Sequence, residues 1–397
     1  MINEILIKNF KSVDELTLEL GRFNVLIGEN GSGKTNILEA IAFGGAAEAN
    51  KLDNEFLTSR GIRVTGPEFM RAAFSSKNKN KDIFLKFILN DGSTVHFTMK
   101  NDNKPYSKWV YSEQEEVIQK IRKIFDQMDE VDREKIKAKI GRNKNASLFE
   151  IVDGEEKENV KAILQRLLSV EEKFPPSPEL SNFLIYSAEN TSLRVFEREG
   201  QILPLGIKGE GLFKLVKNFL IAKSKKSIKE IKEHLKLMDW FEDFELPEFN
   251  APNEFVLKIK DRFLDSQLNY FDQRSSNEGF LFLLFYLALF ISEDTPRFFA
   301  VDNLEASFNP KLCAELSKTL ARLSKKHKKQ VIVTTQNPSI LDGINLNDPE
   351  ERLFVIKRNT LGYTIARRIT AKPETQIPVK LSEAWTRGYI GGLPKNF

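Results

Sequence analysis

The stretch GENGSGKTNILEAI, residues 28–41, decides the fold. Gly28 to Thr35 satisfy the spacing G-x-x-x-x-G-K-[ST] in full. FNVLIG (23–28) before it is a compact apolar strand, and TNILEAIAFGGAAEA (35–49) after it has helical periodicity. Strand, glycine loop and helix together are the context that a phosphate-loop match requires. The glycines let backbone amides wrap phosphate oxygens without side-chain clashes. The helix that starts there turns its positive end toward the anion. In this reading Asn30, Gly31, Gly33, Lys34, Thr35 and Asn36 hold ATP, and Lys34 reaches the β- and γ-phosphates. The Thr35 hydroxyl is a ligand for Mg²⁺.

Such a loop needs a carboxylate at the end of another strand to complete the magnesium site. RFFAVD (297–302) supplies Asp302 after four apolar residues, Phe298–Val301. The bland alternative is an ordinary strand-end aspartate in a turn.

A chain of 397 residues, 41% hydrophobic, has room for a substantial core and roughly two or three domain-sized units. FLFLLFYLALFI (280–291) is the longest apolar run and falls short of the roughly 18 residues that a membrane helix needs. The N-terminus MINEILIKNF lacks the basic-then-apolar order of a signal peptide. The single cysteine, Cys313, excludes an internal disulfide framework. These features predict a cytoplasmic protein without membrane contact. Three histidines and one cysteine offer no zinc grouping. A net charge of +4 permits contact with DNA without arguing for it.

INEILIKNF (2–10) and VDELTLEL (13–20) alternate apolar and polar residues and read as a strand pair. Short strands with turns such as NDGS follow to residue 111. From 113 to 178 the composition becomes charged and helical, and FPPSPE (174–179) closes that stretch. NFLIYSA (182–188) is a strand, and 212–240 is helical and basic. Past 253 come the apolar helix at 280–291, the Asp302 strand, a helix at 310–327, the strand QVIVTT and a last strand pair.

Four segments in this order carry a family resemblance: ILIKNFKS (5–12), FNVLIGENGSGKTNILEAI (23–41), a strand ending in Asp302 before NLEASFNP (303–310), and VIVTTQNPSILD (331–342). The chain resembles the ABC-type ATPases of the SMC, RecF and OLD group over roughly 1–50 and 275–370. The resemblance implies an α/β head with a phosphate-loop sheet, antiparallel N-terminal strands and a helical insertion. It divides the chain into 1–112 and 275–397 as the two parts of the head, 113–178 as the insertion and 179–274 as a second lobe. Such heads dimerise head-to-tail around two nucleotides. In SSNEGFLFLLFYLALF (275–290), Ser275 or Ser276 with Gly279 then contacts the γ-phosphate of the partner's nucleotide. The other reading of those residues is a helix cap. Phe10 and Lys11 are candidates for the adenine side and Glu189 or Asn190 for the metal-side loop, and each reads equally as ordinary packing or a surface residue.

Two departures from the family pattern bear on rate. Asn303 stands where a glutamate polarises the attacking water, and Gln336 where a histidine touches the γ-phosphate. An amide orients water by hydrogen bond but cannot accept its proton. Glu305 is the substitute base or, equally, an interface contact. The catalytic set is therefore Asp302, Asn303, Glu305 and Gln336, with slow turnover expected.

Three roles follow. The first is an ATP-dependent switch that assembles and controls a separate effector, a nuclease or toxin, in bacterial anti-phage defence. The expectation that no metal-nuclease domain of the OLD kind is appended favours it, together with analogy to the group. The second is a RecF-like DNA repair ATPase, and the third a scaffold without turnover. Two basic stretches, 223–236 and 325–329, either track a phosphate backbone or are solvated helix ends. The apolar tail SEAWTRGYIGGLPKNF (382–397) either folds over its own domain or docks a partner.

Overall fold

The computed structural model describes residues 1–111, 178–195, 200–245, 257–265, 267–268, 270–305, 308–371 and 379–393. The insertion expected at 113–178 falls, except for its last residue, outside the described residues. The N-terminal pair forms as read: β1 (Ile2–Phe10) and β2 (Val13–Glu19) are antiparallel, with Lys11 turning the chain at φ 47°. Next come β3 (Phe23–Ile27), α1 (Lys34–Glu48), α2 (Asn54–Ser59), α3 (Pro67–Met70), β4 (Ile83–Leu89), β5 (Thr94–Lys100) and β6 (Val110–Tyr111). The middle of the chain supplies α4 (Pro178–Ser181), β7 (Ile185–Tyr186), α5 (Asn190–Leu193), α6 (Leu212–Ile221), α7 (Lys226–Leu235), β8 (Phe241–Glu245), β9 (Lys258–Asp261) and β10 (Phe271–Asp272). The last third supplies α8 (Glu278–Ile291), β11 (Phe298–Val301), α9 (Pro310–Lys326), β12 (Gln330–Thr334), a 3₁₀ turn (Pro338–Gly343), β13 (Glu351–Arg358), β14 (Thr364–Ile369) and α10 (Leu381–Thr386).

The central sheet has the order β14-β13-β3-β12-β11-β7, parallel except for β14. Strands β3, β11 and β12 are buried along their whole length. Their near-continuous apolar sequences are what a parallel sheet covered on both faces demands. Alternate residues face opposite cores: Val25, Phe299 and Val333 lie on the side of α8, and Leu26, Ala300 and Ile332 on the side of α1. The apolar α8 is buried on all sides, as a helix without a polar face must be.

Helix α1 lies between the central sheet and the antiparallel sheet β2-β1-β4-β5-β6. Its glycine pair sets that spacing. A Cβ on Gly44 would lie 2.5 Å from Phe87 Cζ, and one on Gly45 2.4 Å from the Leu180 carbonyl oxygen. The 179–274 segment, read as a second lobe, begins inside the head, because β7 extends the central sheet beside β11. Its later part forms a separate sheet, β10-β9-β8, under α7 and α8.

Four of the five residues of the basic stretch 325–329 have partners within the chain, and Lys328 is exposed. Lys325 pairs with Asp348, while Lys326 and His327 reach Glu230 at 2.8 and 3.2 Å. Lys329 is buried, donating to Thr295 O at 2.8 Å, Thr295 Oγ1 at 2.9 Å and Pro296 O at 3.2 Å. With neutral acceptors only, burial first and Arg297 second push its ammonium down to about 8, against the pull of Asp294 and Glu293. The unfolded lysine keeps its ordinary 10.5, so between these values the unfolded chain binds the extra proton. The penalty of the buried charge is complete below the folded value and is relieved as pH rises through the window. The stability difference between the native chain and Lys329→Met should therefore shift in favour of the native chain by roughly 1.4 kcal/mol per pH unit from about pH 8 to 10. Urea unfolding across that range measures it, and a flat difference contradicts the burial account.

Candidate nucleotide site

The carboxyl ends of β3, β7, β11 and β12 open on one edge of the parallel sheet, where ligands of open α/β sheets bind. From β3 the chain enters the glycine loop with left-handed backbone at Gly31 (φ 76°) and Gly33 (φ 106°). A Cβ at Gly33 would stand 2.0 Å from Thr364 Oγ1, so this position excludes any side chain. Helix α1 begins at Lys34, directly after that turn. The Lys34 ammonium folds back onto the carbonyl oxygens of Gly28 (2.7 Å) and Glu29 (3.1 Å). Burial lowers its pKa, while Asp302, Glu305 and Glu29 pull it upward. Anionic phosphate oxygens would replace two neutral acceptors with charged ones.

Thr35 and Asp302 meet as expected from the sequence, with Thr35 Oγ1 donating to Asp302 Oδ2 at 3.1 Å. A hydroxyl and a carboxylate side by side at the mouth of a phosphate loop fit Mg²⁺, and these two residues would hold it. When bound, the ion offsets the charge on the β- and γ-phosphate oxygens. Thr334, which the motif reading did not single out, fixes Asp302. Its hydroxyl donates to Asp302 Oδ1 and accepts the Asn303 N–H at 2.9 Å. The signal for it was the polar TT that ends β12.

Asn303 is exposed and left-handed (φ 58°), a conformation that asparagine tolerates better than most residues. Glu305 is half-buried. Its Oε1 accepts the Gln336 backbone N–H at 2.8 Å, and its buried Oε2 has no partner among the described residues. This carboxylate also acts on its neighbours: the Cys313 thiol is pushed up to about 11, chiefly by burial and then by Glu305. The Gln336 side chain is exposed at the end of β12.

The two serines read for the signature differ in exposure. Ser276 is 3% exposed and turned inward. The helix cap of α8 is Asn277, whose side chain accepts the Phe280 N–H at 2.8 Å. Ser275 is exposed and Gly279 lies in the first turn of α8. Arg194 holds the turn before α8, donating to the carbonyls of Gln273 (2.7 Å), Arg274 (2.8 Å) and Ser276 (2.9 Å). Its Nε also reaches Asn190 Oδ1 at 3.0 Å, so α5 and the turn before α8 form one unit. Glu189 pairs with Lys208 at 2.9 Å.

Phe10 does not face a nucleotide. It is wholly buried against Phe43, with ring centroids 5.8 Å apart, because β1 turns it inward. Lys11 is tied to the buried Glu39, which also takes Arg63 at 2.7 Å. Asn36 donates to Ser12 Oγ at 2.7 Å and accepts from Arg63 Nη2 at 3.1 Å. The described part of the C-terminal segment, 382–393, folds onto its own domain: Trp385 and Ile390 join the core, and a Cβ on Gly392 would lie 3.6 Å from Gly28 Cα.

Among the described residues no helix is long and apolar enough to cross a membrane. An uncharacterized protein of Methanocaldococcus jannaschii is 34% identical over 113 residues, 27% of this chain and 50% of that protein. The DNA replication and repair protein RecF of Mannheimia succiniciproducens is 38% identical over 96 residues, 24% of this chain and 26% of RecF. The chain thus spans half or less of the length of these curated relatives. A crystal structure of the SMC head bound to the C-winged helix domain of ScpA aligns with 94% of this chain and 98% of its own, at 15% identity and a TM-score of 0.54. That likeness gives the fold, that of an SMC head. The AAA ATPase domain family matches residues 1–341, and on that match the chain is a member of this family of ATPases.

Proposed function

We propose that this chain is an ATP-driven switch: it binds ATP with Mg²⁺, assembles through ATP-sandwiched heads and hydrolyses slowly. The observation that carries the reading is the contrast around Asp302. Lys34, Thr35 and Asp302 are assembled for binding, while the next residue is the neutral Asn303, exposed and unable to accept a proton. Within this reading Lys34 and the loop amides bind the phosphates, Asn303 orients water, and Gln336 contacts the γ-phosphate side. Ser275, exposed before the cap of α8, takes the role across the dimer that Ser276 cannot. The family resemblance extends the reading to sensing and effector control in bacterial defence.

The test is solution mass by light scattering with no nucleotide, ADP, or ATP–Mg²⁺. A rise to at least twice the monomer mass with ATP–Mg²⁺ alone is expected, and an unchanged mass removes the switch. The RecF match favours a second reading, a DNA-binding ATPase. Helix α7 supports it: Ile228, Ile231 and Leu235 are buried, leaving Lys225, Lys226, Lys229 and Lys236 exposed on the outer side. Duplex DNA added to the same samples decides between them, with salt-sensitive binding favouring the second.

A further inference from the structure

Outside the phosphate loop, one exposed aromatic is built into the rim of the site. Phe74 is 51% exposed although its loop is firmly held. Arg71, 1% exposed, donates to the carbonyls of Lys81 (2.8 Å) and Asn101 (2.7 Å) and to Asn103 Oδ1 (2.6 Å). From the other side, Asn9 Nδ2 donates to Asn78 O at 3.1 Å and Lys81 O at 2.8 Å. A rigid loop that leaves a phenyl ring in water forgoes the gain from burying it.

The ring has two partners that lead back to the phosphate loop. Tyr363 meets it edge-on, with centroids 5.6 Å apart and planes at 84°. The Arg358 guanidinium lies 5.2 Å from its centroid. The same guanidinium donates from Nε to Gly31 O at 2.7 Å and from Nη1 to Gly362 O at 3.0 Å. Phe74 is therefore one side chain away from the loop that cradles the phosphates. The guanidinium covers one side of the Phe74 ring and Tyr363 holds its edge, so a flat heteroaromatic ring stacks on the side left open. Phe10 and Lys11 offer no such surface, being buried and ion-paired.

We infer that Phe74, with Arg358 and Tyr363, is the base subsite: the purine of the nucleotide whose phosphates occupy residues 28–35 stacks on the exposed face of Phe74. The inference rests on the nucleotide reading of that loop. Stacking uses the π-face that every purine has, so the subsite supports ATP and GTP alike.

Calorimetry with ATP–Mg²⁺ and with tripolyphosphate–Mg²⁺, which has the phosphates and no base, tests it. Phe74→Ala should bind ATP about tenfold more weakly and tripolyphosphate as the native chain does. Phe74→Trp should keep ATP affinity within about twofold of native or improve it. Unchanged ATP affinity in Phe74→Ala overturns the subsite. So does an equal loss for ATP and tripolyphosphate, which marks a disturbed loop instead. A native chain that binds neither ligand overturns the nucleotide reading itself, and a native chain that binds both isolates the question to Phe74.

Discussion

Asn303→Glu should raise steady-state ATP turnover by about a hundredfold or more, the value of a positioned general base. The substitution places a proton acceptor directly after Asp302, whose carboxylate is already held by Thr35 and Thr334. Glutamate is less at ease than asparagine at φ 58°, so the variant should lose about 1 kcal/mol of stability while it gains rate. Phosphate release under saturating ATP–Mg²⁺ measures the first effect and urea unfolding the second. The account fails if the native chain already turns over briskly and Glu305→Gln lowers that rate a hundredfold. Glu305 would then be the base, a role compatible with its buried, unpartnered Oε2 and with Oε1 fixed by the Gln336 N–H.

The second large effect belongs to Lys34. Lys34→Ala should weaken ATP binding by at least about a hundredfold, since two charge-assisted hydrogen bonds are worth roughly 3 kcal/mol or more. The nearly buried ammonium already lies in the loop against Gly28 O and Glu29 O, so little reorganisation precedes phosphate binding. ATP-dependent change in solution mass should vanish with it. Calorimetry checks the affinity, and an unchanged melting temperature shows that the loss is not one of folding. Native-like affinity in Lys34→Ala would remove the phosphate-loop assignment.

The site was legible in the sequence wherever one short segment carries both a structural and a chemical signal. Gly31, Gly33, Lys34 and Thr35 are such a case, because strand, turn and helix are contiguous there. Asp302 was legible because a wholly apolar strand ends on it. The register of the serine pair was not legible, because serine and asparagine serve equally as the cap of α8 by preference alone. What fixes the turn is Arg194, about eighty residues earlier, holding its carbonyls. Phe10 was not decided by the sequence, because a strand pattern tells which residues alternate, and the side that is covered depends on what packs there, here Phe43 of α1.

By itself, then, the sequence determined the phosphate-loop motif, the strand that ends on Asp302, and the order of the helices and strands around them. Each is a local matter of spacing, periodicity and side-chain chemistry. Only the tertiary structure decided that Thr334 fixes Asp302, that Arg358 joins Phe74 to Gly31, that Lys329 is buried, and that the C-terminal segment packs beside Gly28. Periodicity reports that a residue is covered, and composition that a group is charged. Which distant residue supplies the cover or the hydrogen-bond partner follows from how the two sheets close around α1, and no single segment contains that information.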